Sequence, residues 1–151
     1  MAVDRSYVDS NRAALDRLKA FVEKASDADL EHPMNDGWTA ATVLAHVAFW
    51  DLRIVACLEA WRADGSGPVP TYHDDAVDWI NDSVKPLISA LQPQVAARVT
   101  VEAAEAADRA VAGLSDELYA RNESLGWLVN PDRADHRLEH LVEVEKILSR
   151  D

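Results

Sequence analysis

The sequence predicts an all-α fold, a single helical bundle over residues 1–151 with four long helices and one short extra helix. Three observations support this class. The chain has only 5 glycines and 6 prolines in 151 residues. Runs of alternating β-branched residues are rare, and apolar residues recur instead at the 3.6-residue period of a helix. A chain of this length buries a sizeable core without disulfide bonds, and its single cysteine excludes a disulfide framework.

The first long helix is expected over about residues 4–25, where apolar residues form one stripe. The stretch that follows, SDADLEHPMNDG, contains proline and glycine and predicts a polar connection. The second long helix begins after it with Thr39 as N-cap. It keeps its apolar period until DGSGPVP ends it near Ala63.

The middle of the chain carries a helical pattern that two prolines interrupt. A shorter helix is expected over about residues 74–91, with Pro86 as the position where it would kink. A long helix is then expected over about residues 94–112.

The last long helix follows a turn-rich stretch, RNESLGWLVNPD. Asn130 is the expected N-cap. Pro131 is the expected first helical residue, because proline has no backbone N–H and an N–H at the first helical position would have no partner within the helix. The helix is expected to run to about Arg150, which completes the four long helices of the bundle.

The composition excludes several classes of function. The net charge is −12 and the isoelectric point is about 4.7. Such a chain repels phosphate backbones and has no basic stripe, so we expect no nucleic-acid partner. The N-terminus has no apolar run typical of a signal peptide, and charges interrupt the apolar stretches, so we expect no membrane span. These features predict a soluble, cytoplasmic protein.

Three of the five histidines occupy positions from which they could converge. His136 and His140 stand four residues apart in the last helix and project from one face of it. At about 100° per residue, His46 lies on the flank of the second helix's apolar arc, together with Trp50 and Arg53. Neutral imidazole is a common ligand for zinc, nickel and iron, and three histidines leave positions open for water or substrate.

The spacing alone leaves two interpretations of the last-helix pair open. Five histidines placed at random give an i, i+4 pair roughly one time in eight, so the two could also simply face solvent. The metalloprotease motif H-E-x-x-H is absent, because Arg137, Leu138 and Glu139 separate the pair.

Two longer segments resemble signatures of a known group, the DinB-like superfamily. GWTAATVLAHVAFWD, residues 37–51, resembles its second-helix signature, a Trp-Ser/Thr start followed by an Ala-His-Leu/Val step and an aromatic residue. DHRLEHLVEVEKIL, residues 135–148, resembles its last-helix signature, an H-x-x-x-H pair followed by apolar residues. The resemblance implies a four-helix bundle with a long crossover connection. It also implies a divalent metal, often nickel, zinc or iron, held by His46, His136 and His140.

The superfamily includes thiol S-transferases and mycothiol-dependent maleylpyruvate isomerases. The resemblance therefore implies a protein that uses a low-molecular-weight thiol, such as mycothiol, on a small electrophilic substrate. The superfamily also includes colibactin self-resistance proteins, so a non-catalytic binding or sequestration protein without metal stays open. A helical interaction module, often a homodimer, stays open too. Residues 73–100 carry no motif that indicates a thiol cofactor.

Two residues near His46 are candidates for binding a cofactor or a substrate. Trp50 could line a pocket, although an aromatic residue at helical spacing is more often part of the core. Arg53 could bind a carboxylate bidentately, although most arginines face solvent. Cys57 is expected to be a small buried residue rather than a nucleophile.

The remaining polar candidates are expected to have structural roles. His73 is expected to act in local capping, and His32 is expected to lie in a loop. Glu102, Glu105 and Asp108 are expected to form a solvated helix face.

Overall fold

The computed structural model describes residues 2–64 and 74–149. The predicted all-α class is confirmed, because these residues form seven α-helices and one 3-10 turn and contain no strand. The helices are α1 (Tyr7–Lys24), α2 (Asp27–Glu31), α3 (Ala40–Asp64), α4 (Asp74–Ser89), α5 (Pro93–Ala112), α6 (Asp116–Ser124) and α7 (Ala134–Leu148).

The four helices α1, α3, α5 and α7 form the bundle. Helix α3 packs most extensively on α5 and also packs on α7, while α1 packs on α5 and α7. The consecutive long helices α1 and α3 therefore lie diagonally across the bundle, as do α5 and α7. The chain crosses over instead of running up and down between neighbours. Helix α4 packs on α3 and belongs to the long connection between α3 and α5.

Small residues allow α5 to approach α3 closely. Ala97 and Ala104 of α5 are fully buried in one apolar cluster with Leu44 of α3. Leu58 and Trp61 of α3, both fully buried, belong to a second cluster further along the same helix. Burying a leucine side chain stabilises a fold by about 1.5–3 kcal/mol, so these clusters fix α3 firmly and hold its histidine-bearing flank in place.

Helix α3 is the one helix of the described residues whose length and composition, from Ala40 to Ala63, would allow it to cross a membrane. Inside the fold, 61% of its most apolar window is buried. This is the pattern of the central helix of a soluble bundle, because neighbouring helices cover its apolar surface.

The predicted helices of the first half of the chain are present, with small differences at their ends. Helix α1 begins at Tyr7, three residues later than expected. Thr39 caps α3 as predicted, because its Oγ1 accepts a hydrogen bond from the backbone N–H of Thr42 at 3.2 Å. Helix α3 continues to Asp64. The rest of the predicted break, and the capping role predicted for His73, lie outside the described residues.

The polar connection after α1 contains a short helix that its sequence pattern did not predict. The Oγ of Ser26 accepts a hydrogen bond from the backbone N–H of Asp29 at 3.1 Å, and the Asp29 carboxylate accepts one from the Ser26 backbone at 2.8 Å. This capping box stabilises α2, whose five residues are too few to show an apolar period. The box was the signal that could have revealed the helix.

The two predicted helices in the middle of the chain are present as α4 and α5. Helix α4 ends at Ser89 and contains Pro86 within it. Helix α5 begins at Pro93, one residue before the expected start, because proline suits the first turn of a helix.

The prediction of turns over residues 121–132 was wrong in its first part. Residues 121–124 belong to α6. The Oγ of Ser115 caps this helix by accepting a hydrogen bond from the backbone N–H of Leu118 at 3.2 Å. Two acidic residues in the first turn add favourable interactions with the helix dipole.

The predicted start of the last helix at Asn130 was also wrong. The Asn130 side chain instead accepts a hydrogen bond from the backbone N–H of Asp132 at 3.0 Å, and α7 begins at Ala134. The cap comes from another helix. The Oδ1 of Asn11 in α1, which is buried, accepts hydrogen bonds from the backbone N–H groups of Arg133 at 2.7 Å and Ala134 at 3.0 Å. Asp132 is a local acceptor for the Ala134 N–H, also at 3.0 Å, but the part of the cap that Asn11 supplies across the bundle leaves no signal in the local sequence.

Candidate metal centre

Helices α3 and α7 bring three histidines together where they meet. The ring of His46 lies 5.4 Å from that of His136 and 4.9 Å from that of His140, measured between centroids, and the two α7 rings lie 4.8 Å apart. One nitrogen from each ring lies within 4.8 Å of the other two. Two nitrogen ligands of one tetrahedral zinc lie roughly 3.4 Å apart, so modest rotations of the rings would let all three bind one ion.

The surroundings keep the three imidazoles neutral. Burial, together with a smaller effect of the nearby His140, lowers the pKa of His46 to about 4 and that of His136 to about 3. Burial also lowers the pKa of His140, although Glu139 and Glu143 act in the opposite direction. A neutral imidazole offers a lone pair to a metal, whereas an imidazolium does not. The triad can therefore bind a cation at neutral pH without first releasing protons.

Two nitrogens of the triad have no hydrogen-bond partner among the described residues. They are Nδ1 of His46 and Nδ1 of His136, and both are buried. An unpaired buried polar atom costs about 1–3 kcal/mol, so such atoms are rare and require an explanation. A coordinated ion is one such explanation, and the residues present fit it in number, type and protonation.

A cavity of about 210 Å³, which we call the triad cavity, opens onto the histidines. It is lined by Met34, Asn35, Asp36, Trp38, Val43, His46, Asn81, His140 and Glu143. The ring of Trp38 lies edge-on to His46 at 5.6 Å and gives the cavity one apolar wall. Glu143 accepts a hydrogen bond from Nδ2 of Asn35 at 3.2 Å. Together with Asp36 it makes the opposite side acidic, which suits a cation.

A buried ionic network fixes α7 against α3 and α5. Asp51 of α3 is fully buried, and its two oxygens accept hydrogen bonds from Nε of Arg133 at 2.9 Å and Nε of Arg137 at 3.0 Å. Arg137 also lies 2.7 Å from Oδ1 of Asp108 on α5. Because the two arginines flank His136 in sequence, the network fixes the part of α7 that carries the triad.

The prediction that Asp108 belongs to a solvated face was wrong. Its side chain is 16% exposed and faces Arg137, whereas Glu102 is 59% exposed, as expected. Glu105 lies between these extremes at 34%. The sequence did indicate that an acidic partner was needed, because Arg137 lies directly beside the apolar arc of α7 and an arginine buried there requires an anionic partner.

Trp50 and Arg53 lie beside the triad but do not line its cavity. The Trp50 ring lies 6.4 Å from that of His46, and its Nε1–H donates a hydrogen bond to Oδ1 of Asn81 at 2.9 Å. The guanidinium of Arg53 lies 5.1 Å from the centroid of Trp50. Both residues line a second cavity next to the first. Cys57 is buried, as expected, and burial raises the pKa of its thiol.

Comparison with protein-family models matches residues 11–145 to the mycothiol maleylpyruvate isomerase N-terminal domain. The chain belongs to this DinB-like family. The match covers all of α3 and the part of α7 that carries both histidines, so the resemblance inferred from the two signatures is confirmed. No curated protein and no solved structure gave a significant match. Within the described part of this DinB-like domain, the triad is the one cluster of potential metal ligands.

Proposed function

We propose that this DinB-like protein binds a divalent metal through His46, His136 and His140 and acts on a low-molecular-weight thiol and a small electrophile. The metal would be nickel, zinc or iron, the thiol one such as mycothiol, and the reaction an S-transfer or an isomerisation. The triad carries the proposal, because it offers three neutral imidazoles with nitrogens within 4.8 Å at the wall of a cavity. The family match supports a thiol, since mycothiol is part of the family's name.

The side chains around the triad suit it for generating a nucleophile. A divalent metal held there would lower the pKa of a bound thiol or water and favour its anion near neutral pH. Because the three histidine ligands are neutral, they would not offset the positive charge of a metal bound between them. Trp38 and Val43 cover one side of the cavity with apolar surface, and an apolar wall strengthens the electrostatic interactions beside it.

Metal content and metal-dependent stability test the proposal. Purified protein should contain about one first-row divalent ion per chain, and its Tm should fall on chelation and recover when nickel, zinc or iron(II) is returned. His46→Ala and His140→Ala should abolish both effects. His32→Ala changes a histidine outside the triad and should retain both. A protein that holds no metal and shows no metal-dependent change in Tm contradicts the proposal.

A second function, binding or sequestration of a small molecule without catalysis, is favoured by the second cavity. That cavity has a volume of about 250 Å³, and none of the three histidines lines it. A ligand bound there would not depend on metal. Thiol-dependent turnover of a model electrophile, such as 1-chloro-2,4-dinitrobenzene, that is lost in His46→Ala favours the enzyme. Ligand binding that survives in His46→Ala, without any turnover by the unchanged chain, favours sequestration.

The proposal implies a cytoplasmic protein, since low-molecular-weight thiols are kept reduced there, with a small molecule as its partner. A homodimer, which the interaction-module interpretation often includes, would scatter light as twice the 16.7 kDa of one chain. A dimer that binds neither metal nor small molecule would favour the third interpretation, a helical interaction module.

A further inference from the structure

Two tryptophan rings pack against His46, the triad histidine on α3. The ring of Trp38 lies 5.6 Å from that of His46, at an interplanar angle of 83°. The ring of Trp50 lies 6.4 Å from it, at an angle of 69°. Both are edge-on arrangements at distances typical of interacting aromatic pairs. Packing against these two rings therefore restricts how the imidazole of His46 can turn.

The usual hydrogen bond that orients a metal-binding histidine is missing at Nδ1 of His46. Such histidines almost always donate their second ring N–H to a carboxylate, a carbonyl or water, and this bond fixes the orientation of the ring. Nδ1 of His46 is buried and has no hydrogen-bond partner among the described residues. The orientation of this ring therefore depends on the packing around it, and so on the contacts that hold the two tryptophans.

Helix α4 supplies one polar contact to each of these tryptophans. Nζ of Lys85 lies 4.9 Å from the centroid of the Trp38 ring, a cation–π distance. Oδ1 of Asn81 accepts a hydrogen bond from the Nε1–H of Trp50 at 2.9 Å. Asn81 and Lys85 stand four residues apart, so they project from the same face of α4. One face of this helix thus contacts both rings that pack on His46.

Lys85 also holds the backbone that leads into Trp38. Its Nζ donates a hydrogen bond to the backbone oxygen of Asp36 at 2.8 Å. Asp36 and Gly37 have φ values of 56° and 73°, in the left-handed region that residues other than glycine rarely adopt. A backbone of this kind persists only where the surrounding contacts determine it. Lys85 is one of these contacts, so it acts on both the ring of Trp38 and the backbone before it.

Helix α4 is less enclosed than the four bundle helices. It packs on α3 and buries Ile88 in the apolar cluster that includes Leu44. On its outer face, Trp79 is 68% exposed and Leu87 is 73% exposed. Elements that are covered on one side only are among the first to open locally. The position of α4 can therefore respond to a ligand at the triad more readily than the bundle helices can.

We propose that α4 is a clamp that sets the orientation of His46, with Lys85 acting through Trp38 and Asn81 acting through Trp50. Lys85 and Asn81 are positioning residues, since neither belongs to the triad. Residues that orient a metal ligand in this way are worth about 10–100-fold in metal affinity. By linkage, a metal at the triad must stabilise the docked position of α4 by the same factor. The proposal rests on the proposed function in taking the triad as a metal site, but its first test uses metal-free protein.

The first test follows the His46 ring in the metal-free chain. The ring C–H signals of the five histidines are recorded by ¹H–¹³C NMR, and His46→Gln assigns the signal of His46. Lys85→Met removes the cation and the hydrogen-bond donor but keeps a long side chain, and it should shift the His46 signal. Lys24→Met changes an exposed lysine of α1 and should leave that signal in place. A His46 signal that Lys85→Met and Asn81→Leu both leave unchanged overturns the proposal, whether or not the triad binds metal.

The second test uses cobalt(II), whose visible absorption bands depend on the arrangement of its ligands. Lys85→Met should weaken cobalt binding at least about tenfold and change these bands. Lys85→Arg keeps a donor and a cation that stacks on an indole, so it should recover part of the affinity. Thermal unfolding confirms that each variant is folded. Weaker binding with unchanged bands reflects a general loss of stability and refutes the clamp.

Hydrogen exchange tests the coupling in the unchanged chain. Zinc should slow amide exchange across α4 as well as in α3 and α7, which carry its ligands. Zinc that protects α3 and α7 but leaves exchange in α4 unchanged overturns the coupling. A chain that binds neither cobalt nor zinc refutes the metal proposal and the coupling with it. The His46 signal of the metal-free chain then still decides whether α4 orients the ring.

Discussion

Replacing Asp51 with asparagine should destabilise the protein strongly. Asp51 is fully buried and pairs with the side chains of Arg133 and Arg137, which are 8% and 1% exposed. Together with Asp108, these residues contribute two carboxylates and two guanidinium groups, so their formal charges cancel. Asparagine keeps the shape of the side chain but leaves one positive charge in the interior without its counterion.

The size of the effect follows from the burial of the pair. Removing one partner of a buried ion pair costs about 3–5 kcal/mol. Burial disfavours the charge on Arg137, yet Asp108 and Asp51 raise its pKa. The guanidinium therefore stays charged in the variant and cannot avoid the cost by losing a proton. For a chain of this length the loss corresponds to a fall in Tm of about 6–20 °C.

Urea unfolding followed by circular dichroism measures the free energy of unfolding of this variant. The control is Glu102→Gln, which removes an exposed ion pair with Arg98 and should cost about 0–1 kcal/mol. Because the network fixes the start of α7, Asp51→Asn should also weaken metal binding at the triad. A loss of stability no larger than that of Glu102→Gln would refute the reasoning.

Further predictions concern the cap of α7 and the protonation of the triad. Asn11→Ala removes the acceptor of the Arg133 N–H and one of the two acceptors of the Ala134 N–H, and it should lower the free energy of unfolding by about 1–3 kcal/mol, whereas the exposed Asn35→Ala should change it little. In the metal-free protein the pKa of His46 is about 4, against 6.5 ordinarily. The contribution of His46 to the free energy of unfolding should therefore be fully present above pH 6.5 and decrease toward pH 4. Between pH 7 and pH 5 this decrease should be roughly 2 kcal/mol. Urea unfolding of His46→Gln should lack that part of the slope. His136→Leu should raise the Tm of the metal-free protein, because it removes a buried nitrogen without a partner; an unchanged or lower Tm would indicate a structural histidine.

Helical periodicity was sufficient to predict the long helices and the shared face of His136 and His140. Both follow from 3.6 residues per turn, which is a local property of the chain. The spacing of histidines alone could not assign His46 to the same site, because it lies on another helix about 90 residues away. The resemblance of two signatures supplied that link, and the structure then brought the three rings together.

The start of α7 and the ionic network could not be predicted, because the interactions that determine them are distant in sequence. The side chain that caps α7 belongs to Asn11, 122 residues before Arg133. Asp51 lies 82 residues before one of its partners and 86 before the other. A single sequence shows which residues are charged but not which of them form ion pairs with one another. A buried arginine beside an apolar arc indicates only that some carboxylate must face it.

The network and the triad are related through the cost of burying the histidines. Three imidazoles lose hydration at the contact of α3 and α7, and two of their nitrogens gain no hydrogen bond among the described residues. Without a ligand the triad therefore opposes the packing of α7. The Asn11 cap and the Asp51 network hold that helix in place through residues that are not part of the triad. A locally unfavourable arrangement that the surrounding structure holds in place is characteristic of a ligand site. The lining of the triad cavity agrees with a cation as that ligand, because it includes two carboxylates, Asp36 and Glu143.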